Sequence, residues 1–117
     1  MSDQETRREF LLLWTRDPEG EAHRPDDPGF EEWLETGAAT GTLARGKSVA
    51  QPGEARSIVR RGDDVIVTDG PFPEFKEWFY GYSVILAPDL ESAVEFASRH
   101  PAVRAGRGYV LPTLDVY

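Results

Sequence analysis

Phe10-Leu11-Leu12-Leu13-Trp14 is a short apolar run set between charged residues, and it predicts a strand over Phe10–Thr15. Asp17-Pro18-Glu19-Gly20 then reads as a turn. Phe30, Trp33, Leu34 and Gly37 recur at helical spacing with Glu31, Glu32 and Glu35 on the wet side, so a short amphipathic helix is expected, with Asp27 as N-cap and Pro28 at its first position. Ala44–Ala50 predicts a strand and Gln51-Pro52-Gly53-Glu54 a turn. Ala55–Arg61 returns through Gly62-Asp63 into Asp64–Thr68 as a hairpin, and Tyr82–Ala87 is a further strand. Asp89 caps a second helix in which Leu90, Ala93, Val94 and Ala97 share one face; Arg99 and His100 suit its C-terminal dipole and Pro101 stops it. Val103–Gly108 connects to a last strand, Tyr109–Val116, which Pro112 kinks or places at a sheet edge.

This order of elements predicts an α+β fold, a ferredoxin-like sandwich with an antiparallel sheet and an inserted β-hairpin. Both sets of alternate residues in the strands Phe10–Thr15 and Tyr82–Ala87 are largely apolar: Leu11 and Leu13 oppose Phe10, Leu12 and Trp14, and Tyr82, Val84 and Leu86 oppose Ser83, Ile85 and Ala87. Two helices cover one face of a sheet. The simplest cover for the other is a second copy of the same sheet, giving a homodimer with a cavity between sheets; the alternative is that the long loops fold over that face within one chain.

Composition narrows the function classes. A chain of 117 residues has room for one domain, residues 1–117, with its own core. It has no cysteine, which excludes disulfide and thiolate chemistry. The opening residues carry both charge signs and lead only to the brief run Phe10–Trp14, far short of the roughly 20 residues of a bilayer span, so a cytoplasmic location away from membranes is expected. A formal net charge of −8 opposes direct contact with nucleic acid, for which Arg56, Arg60 and Arg61 form the one modest basic patch. Two separated histidines give no metal-ligand spacing, and no metal or other cofactor is expected.

The most constrained stretch is Thr68-Asp69-Gly70-Pro71-Phe72-Pro73-Glu74-Phe75-Lys76-Glu77. It sets an acid at the end of a strand, then a permissive glycine and two residues of fixed φ. Together with Gly81-Tyr82, with Arg45-Gly46-Lys47-Ser48 and Gln51-Pro52 before the hairpin, and with Pro88–Ala97 after it, this segment resembles the signature of the DGPF proteins, part of the YCII-related family of small bacterial proteins. The resemblance covers roughly the whole chain. It implies a dimeric α+β barrel and a pocket using an Asp, in some members with a His; Asp69 matches that Asp. It also implies a regulatory partnership with extracytoplasmic-function sigma factors, beside which such proteins are often encoded.

Read from the residues, Asp69 is a candidate general acid or base where apolar neighbours such as Phe72 and Phe75 raise its pKa, a ligand anchor where a cation keeps it charged, or a structural cap of its turn. His23, beside Arg24, is the candidate histidine partner or a solvated loop residue. Arg45, Lys47 and Lys76 are candidate contacts for a small organic anion, with Phe72 lining the pocket; outward, the same cations make ordinary surface pairs. The function classes are a cofactor-independent enzyme working through Asp69, a ligand-binding module without turnover, and a protein-interaction module.

Overall fold

The computed structural model of the protein describes residues 7–75 and 77–115. β1 (Arg8–Arg16), β2 (Leu43–Ser48), β5 (Trp78–Ala87) and β6 (Gly106–Pro112) form one antiparallel sheet in the order β2-β5-β1-β6. α1 (Phe30–Thr40) carries the chain from β1 to β2, and α2 (Leu90–Ala97) with the short α3 (Ala102–Ala105) carries it from β5 to β6. Each crossover skips one strand, which is the ferredoxin-like pattern of two interleaved βαβ units. β3 (Arg56–Arg61) and β4 (Asp64–Asp69) form a separate hairpin, turned at Gly62, whose φ of 60° lies in the left-handed region that glycine adopts freely.

Period-2 alternation on β1 decides where the core sits. Phe10 and Leu12 are completely buried and Trp14 nearly so, and they stand in register with Ile85, Ser83 and Gly81 on β5. α1 adds Trp33, and α2 adds Ala93, Phe96 and Ala97. The Trp33 ring stacks on Phe96 at 4.5 Å, and its Nε1 donates to the Phe96 carbonyl at 2.8 Å, joining the two helices over the sheet. Asp89 caps α2 as expected, accepting from the Ser92 amide at 2.8 Å.

Five local expectations are corrected. α1 begins at Phe30 with Gly29 at the N-cap and no side-chain cap, because the Asp27 carboxylate is gripped by the Arg104 guanidinium at 2.5 and 3.0 Å instead; that pairing holds the Asp27 pKa below the usual carboxylate value. The inward stripe of α2 is Ala93, Phe96 and Ala97, while Leu90 and Val94 are exposed: small residues let the helix lie close to the sheet, and Phe96 fills the space under Trp33. His100 is buried beyond α2 and serves α3, its Nδ1 accepting from the Ala102 amide at 2.9 Å, while Arg99 pairs with Glu95. β5 starts at Trp78 rather than Tyr82, which takes Trp78, Phe79 and Tyr80 into the strand, and β6 ends at Pro112 on the sheet edge; Val116 lies outside the described residues.

The face of the sheet opposite the helices carries Leu11, Leu13 and Thr15 of β1, Tyr82 and Val84 of β5, and Tyr109 and Leu111 of β6, with Arg45 and Lys47 of β2 at one side. No helix among the described residues covers it, and Phe79, Tyr109 and Leu111 remain 43%, 40% and 42% exposed. The hairpin leaves the body of the protein. Its strands pair only with each other, Ile58 is 71% exposed, and the radius of gyration of 16.7 Å exceeds the roughly 13 Å expected of a compact chain this long.

Candidate functional site

Asp69 is the last residue of β4. It pairs across the hairpin with Arg56, its cross-strand neighbour, carboxylate to Nε at 2.9 Å, and its side chain is 75% exposed. The backbone behind it is tightly placed. The Gly70 amide donates to the Ala55 carbonyl at 2.9 Å, and a Cβ on Gly70 would lie 1.9 Å from the Pro52 carbonyl oxygen, so only glycine fits there. Phe72 turns inward, stacks on Trp78 at 5.3 Å and meets the Phe75 edge at 6.4 Å; it anchors the loop to β5. Lys76 lies outside the described residues.

The segment ends at Glu77, where its chemistry reaches the sheet. One Glu77 carboxylate oxygen accepts from the Thr15 hydroxyl at 2.6 Å and from the Tyr109 hydroxyl at 3.4 Å, and the other lies 3.8 Å from the Arg107 guanidinium. Thr15 sits at the end of β1 beside the irregularity in its pairing with β5, Tyr109 comes from β6, and Arg107 is itself tied to Asp17 at 3.2 Å. Three side chains from two strands, β1 and β6, thus fix one carboxylate.

That carboxylate borders a cavity of about 570 Å3 on the helix-free face, with Leu13, Phe79, Tyr109 and Leu111 as walls and Glu74 and Phe75 of the loop at its rim. Apolar walls around a few fixed polar groups are the usual make-up of a small-molecule site. Among the described residues the charged groups lining it are two carboxylates, Glu74 and Glu77, with Arg107 already engaged by Asp17 and Glu77. Such a site suits a partner that donates hydrogen bonds or carries positive charge.

The residues singled out from the sequence are therefore dispersed. Glu74, Phe75 and Glu77 of the constrained segment line the cavity, whereas Asp69 and Phe72 do not. Arg45 and Lys47 stand on β2 opposite Val84 and Tyr82, on the same face, but β5 and β1 separate them from the Tyr109 side of the cavity. His23 is exposed in the loop before α1 and borders a different cavity, on the helix side. Thr15 and Tyr109 were not legible as site residues. The available signal was a polar residue closing an otherwise apolar strand, which here meets an acid lying just before the neighbouring strand. Among the described residues no group of histidine and carboxylate side chains is placed to hold a metal ion, and no helix is long and apolar enough to cross a membrane.

No curated protein matches the chain. The family model of the YCII-related domain matches residues 9–115, a span that takes in the four-stranded sheet from the second residue of β1, all the helices, the hairpin and the segment running to Glu77. With nearly the whole fold inside that match, the chain belongs to the YCII-related domain family.

Proposed function

We propose that the chain binds a small organic molecule in the cavity on the helix-free face of its sheet, and that a second copy packed against that face closes the cavity, as in a dimeric α+β barrel. The observation that carries the reading is the Glu77 carboxylate, fixed by Thr15 and Tyr109 beside apolar walls. The half-exposed Phe79, Tyr109 and Leu111 support the second copy, since these large side chains gain burial when two such faces meet. The pair Glu74 and Glu77 favours a small organic amine over the organic anion expected from the sequence. Glu77 is the proton acceptor of the site. Asp69 joins it as an acid or base only where a partner copy covers the hairpin and removes the carboxylate from water.

A thermal-shift screen with phenethylamine and benzoate, on the parent protein and on Glu77→Gln and Asp69→Asn, tests this. A ligand at about 100 times its Kd adds roughly 2.7 kcal/mol and raises the melting point by several degrees. An amine shift lost in Glu77→Gln, with the unliganded melting point kept, is the expected result. A shift with benzoate alone, or an amine shift indifferent to Glu77, overturns the assignment.

A second reading, the protein-interaction role, is favoured by the hairpin, whose Ile58, Val65 and Val67 present apolar side chains to water. If a sigma-factor-linked regulator docks there, Ile58→Ser abolishes the complex; an unchanged complex sinks that reading.

A further inference from the structure

A second cavity, of about 270 Å3, opens on the helix-bearing side of the sheet and shares none of its lining with the Glu77 site. Trp14, Tyr80 and Ser48 from three neighbouring strands meet Phe30 at the start of α1, with His100 and His23 completing the wall. His100 is the unusual member. It is only 5% exposed, and its ring lies 4.2 Å from Trp14, 4.6 Å from Trp33 and 5.3 Å from Phe30 by centroids. Its Nδ1 accepts from the Ala102 amide at 2.9 Å, so in the neutral ring the hydrogen sits on Nε2. That Nε2 is buried and has no hydrogen-bond partner among the described residues. Buried donors without an acceptor are rare, and one bordering an aromatic cavity is the kind of group that orients a ligand.

We propose that this cavity binds a planar aromatic molecule carrying a neutral carbonyl, an aromatic amide or ketone, whose ring lies among Trp14, Phe30 and Tyr80 and whose oxygen accepts the His100 Nε2 hydrogen. A neutral acceptor is favoured over an anion because the nearby cation Arg104 is already engaged by Asp27 and Glu21, and the chain as a whole is acidic. Phe30 is 45% exposed and its ring lies 5.3 Å from that of His100, so in this proposal the Phe30 ring turns aside to admit the carbonyl to the buried Nε2.

The test is a two-dimensional 1H–15N NMR titration with benzamide, and with toluene as the probe lacking an acceptor. Each tryptophan indole N–H reports separately: Trp14 lines the cavity, while Trp78 packs on Phe72 and serves as the internal control. Benzamide produces a saturable shift of the Trp14 indole and the Ala102 amide with Trp78 unmoved, and toluene binds about tenfold more weakly. Ala105→Leu, on the exposed rim, weakens benzamide by about tenfold, and His100→Asn, which keeps an acceptor for the Ala102 amide, removes the preference for benzamide over toluene. No saturable shift with benzamide, or equal binding of the two probes to the parent protein, overturns the proposal; if His100→Asn fails to fold, the probe comparison and Ala105→Leu still decide it. Glu77→Gln leaves benzamide binding unchanged, so this site and the Glu77 site fail or stand separately.

Discussion

Lowering the pH from 7.5 to 4.5 converts the burial of His100 into a measurable loss of stability. Among aromatic rings and with no carboxylate paired to it among the described residues, the imidazole is costly to charge, and burial pushes its pKa down from 6.5 to about 4. In the unfolded chain the same ring takes its proton at about 6.5. Between these values the unfolded state binds more protons than the folded state, so stability falls as the pH drops from about 6.5 toward 4 and levels off below it. The loss is about 1 kcal/mol at pH 5.5 and about 2–3 kcal/mol at pH 4.5. Urea unfolding followed by tryptophan fluorescence at pH 7.5, 5.5 and 4.5, on the parent protein and on His100→Asn, isolates the term, because the carboxylates that titrate near pH 4 are common to both. The parent's stability relative to the variant falls by about 2–3 kcal/mol across this range. A difference that stays constant with pH refutes the reasoning and means that the folded protein accommodates the charged ring.

Gly81→Ala places a Cβ 2.5 Å from the Trp14 ring that lies against it and costs about 1–3 kcal/mol in urea unfolding; an unchanged midpoint means that the indole moves aside freely. Trp33→Phe removes the indole donor from the Phe96 carbonyl, which keeps the Arg99 amide at 3.2 Å, and costs about 1 kcal/mol by the same assay, with a near-neutral result showing that the backbone donors suffice. Asp69→Asn, exposed and among the described residues paired with Arg56 alone, leaves the melting point nearly unchanged, and a fall of many degrees identifies Asp69 as a structural cap.

Most of the fold was written in local patterns. The β1 alternation, the two-residue turn at Gly62, the Asp89 cap and the edge-bound Pro112 each depend on neighbours a few residues away, and each appears where the chain predicts it. What escaped depends on partners far along the chain. Asp27 fits an N-cap by sequence, but Arg104, 77 residues later, takes its carboxylate. The stripe of α2 turned on whether Leu90 or Phe96 lies under Trp33, which only the packing of two helices decides. The constrained segment was recognisable as the place where chemistry meets the fold, yet its geometry delivers Glu77 to the sheet and leaves Asp69 on the hairpin edge. His100 resembled a cap on a helix end, and its aromatic cage assembles from β1 and α1, on the far side of the sequence.

The central claim, that the helix-free face is where this chain works and where a second copy covers it, is tested most directly by sedimentation equilibrium. The parent protein is predicted to sediment at twice its 13.1 kDa. Leu111→Glu, which sets a charge on that face at its edge strand β6, shifts it to the monomer while its circular dichroism keeps the folded form. A parent protein that stays monomeric at every concentration, or a Leu111→Glu protein that remains a dimer, contradicts the account.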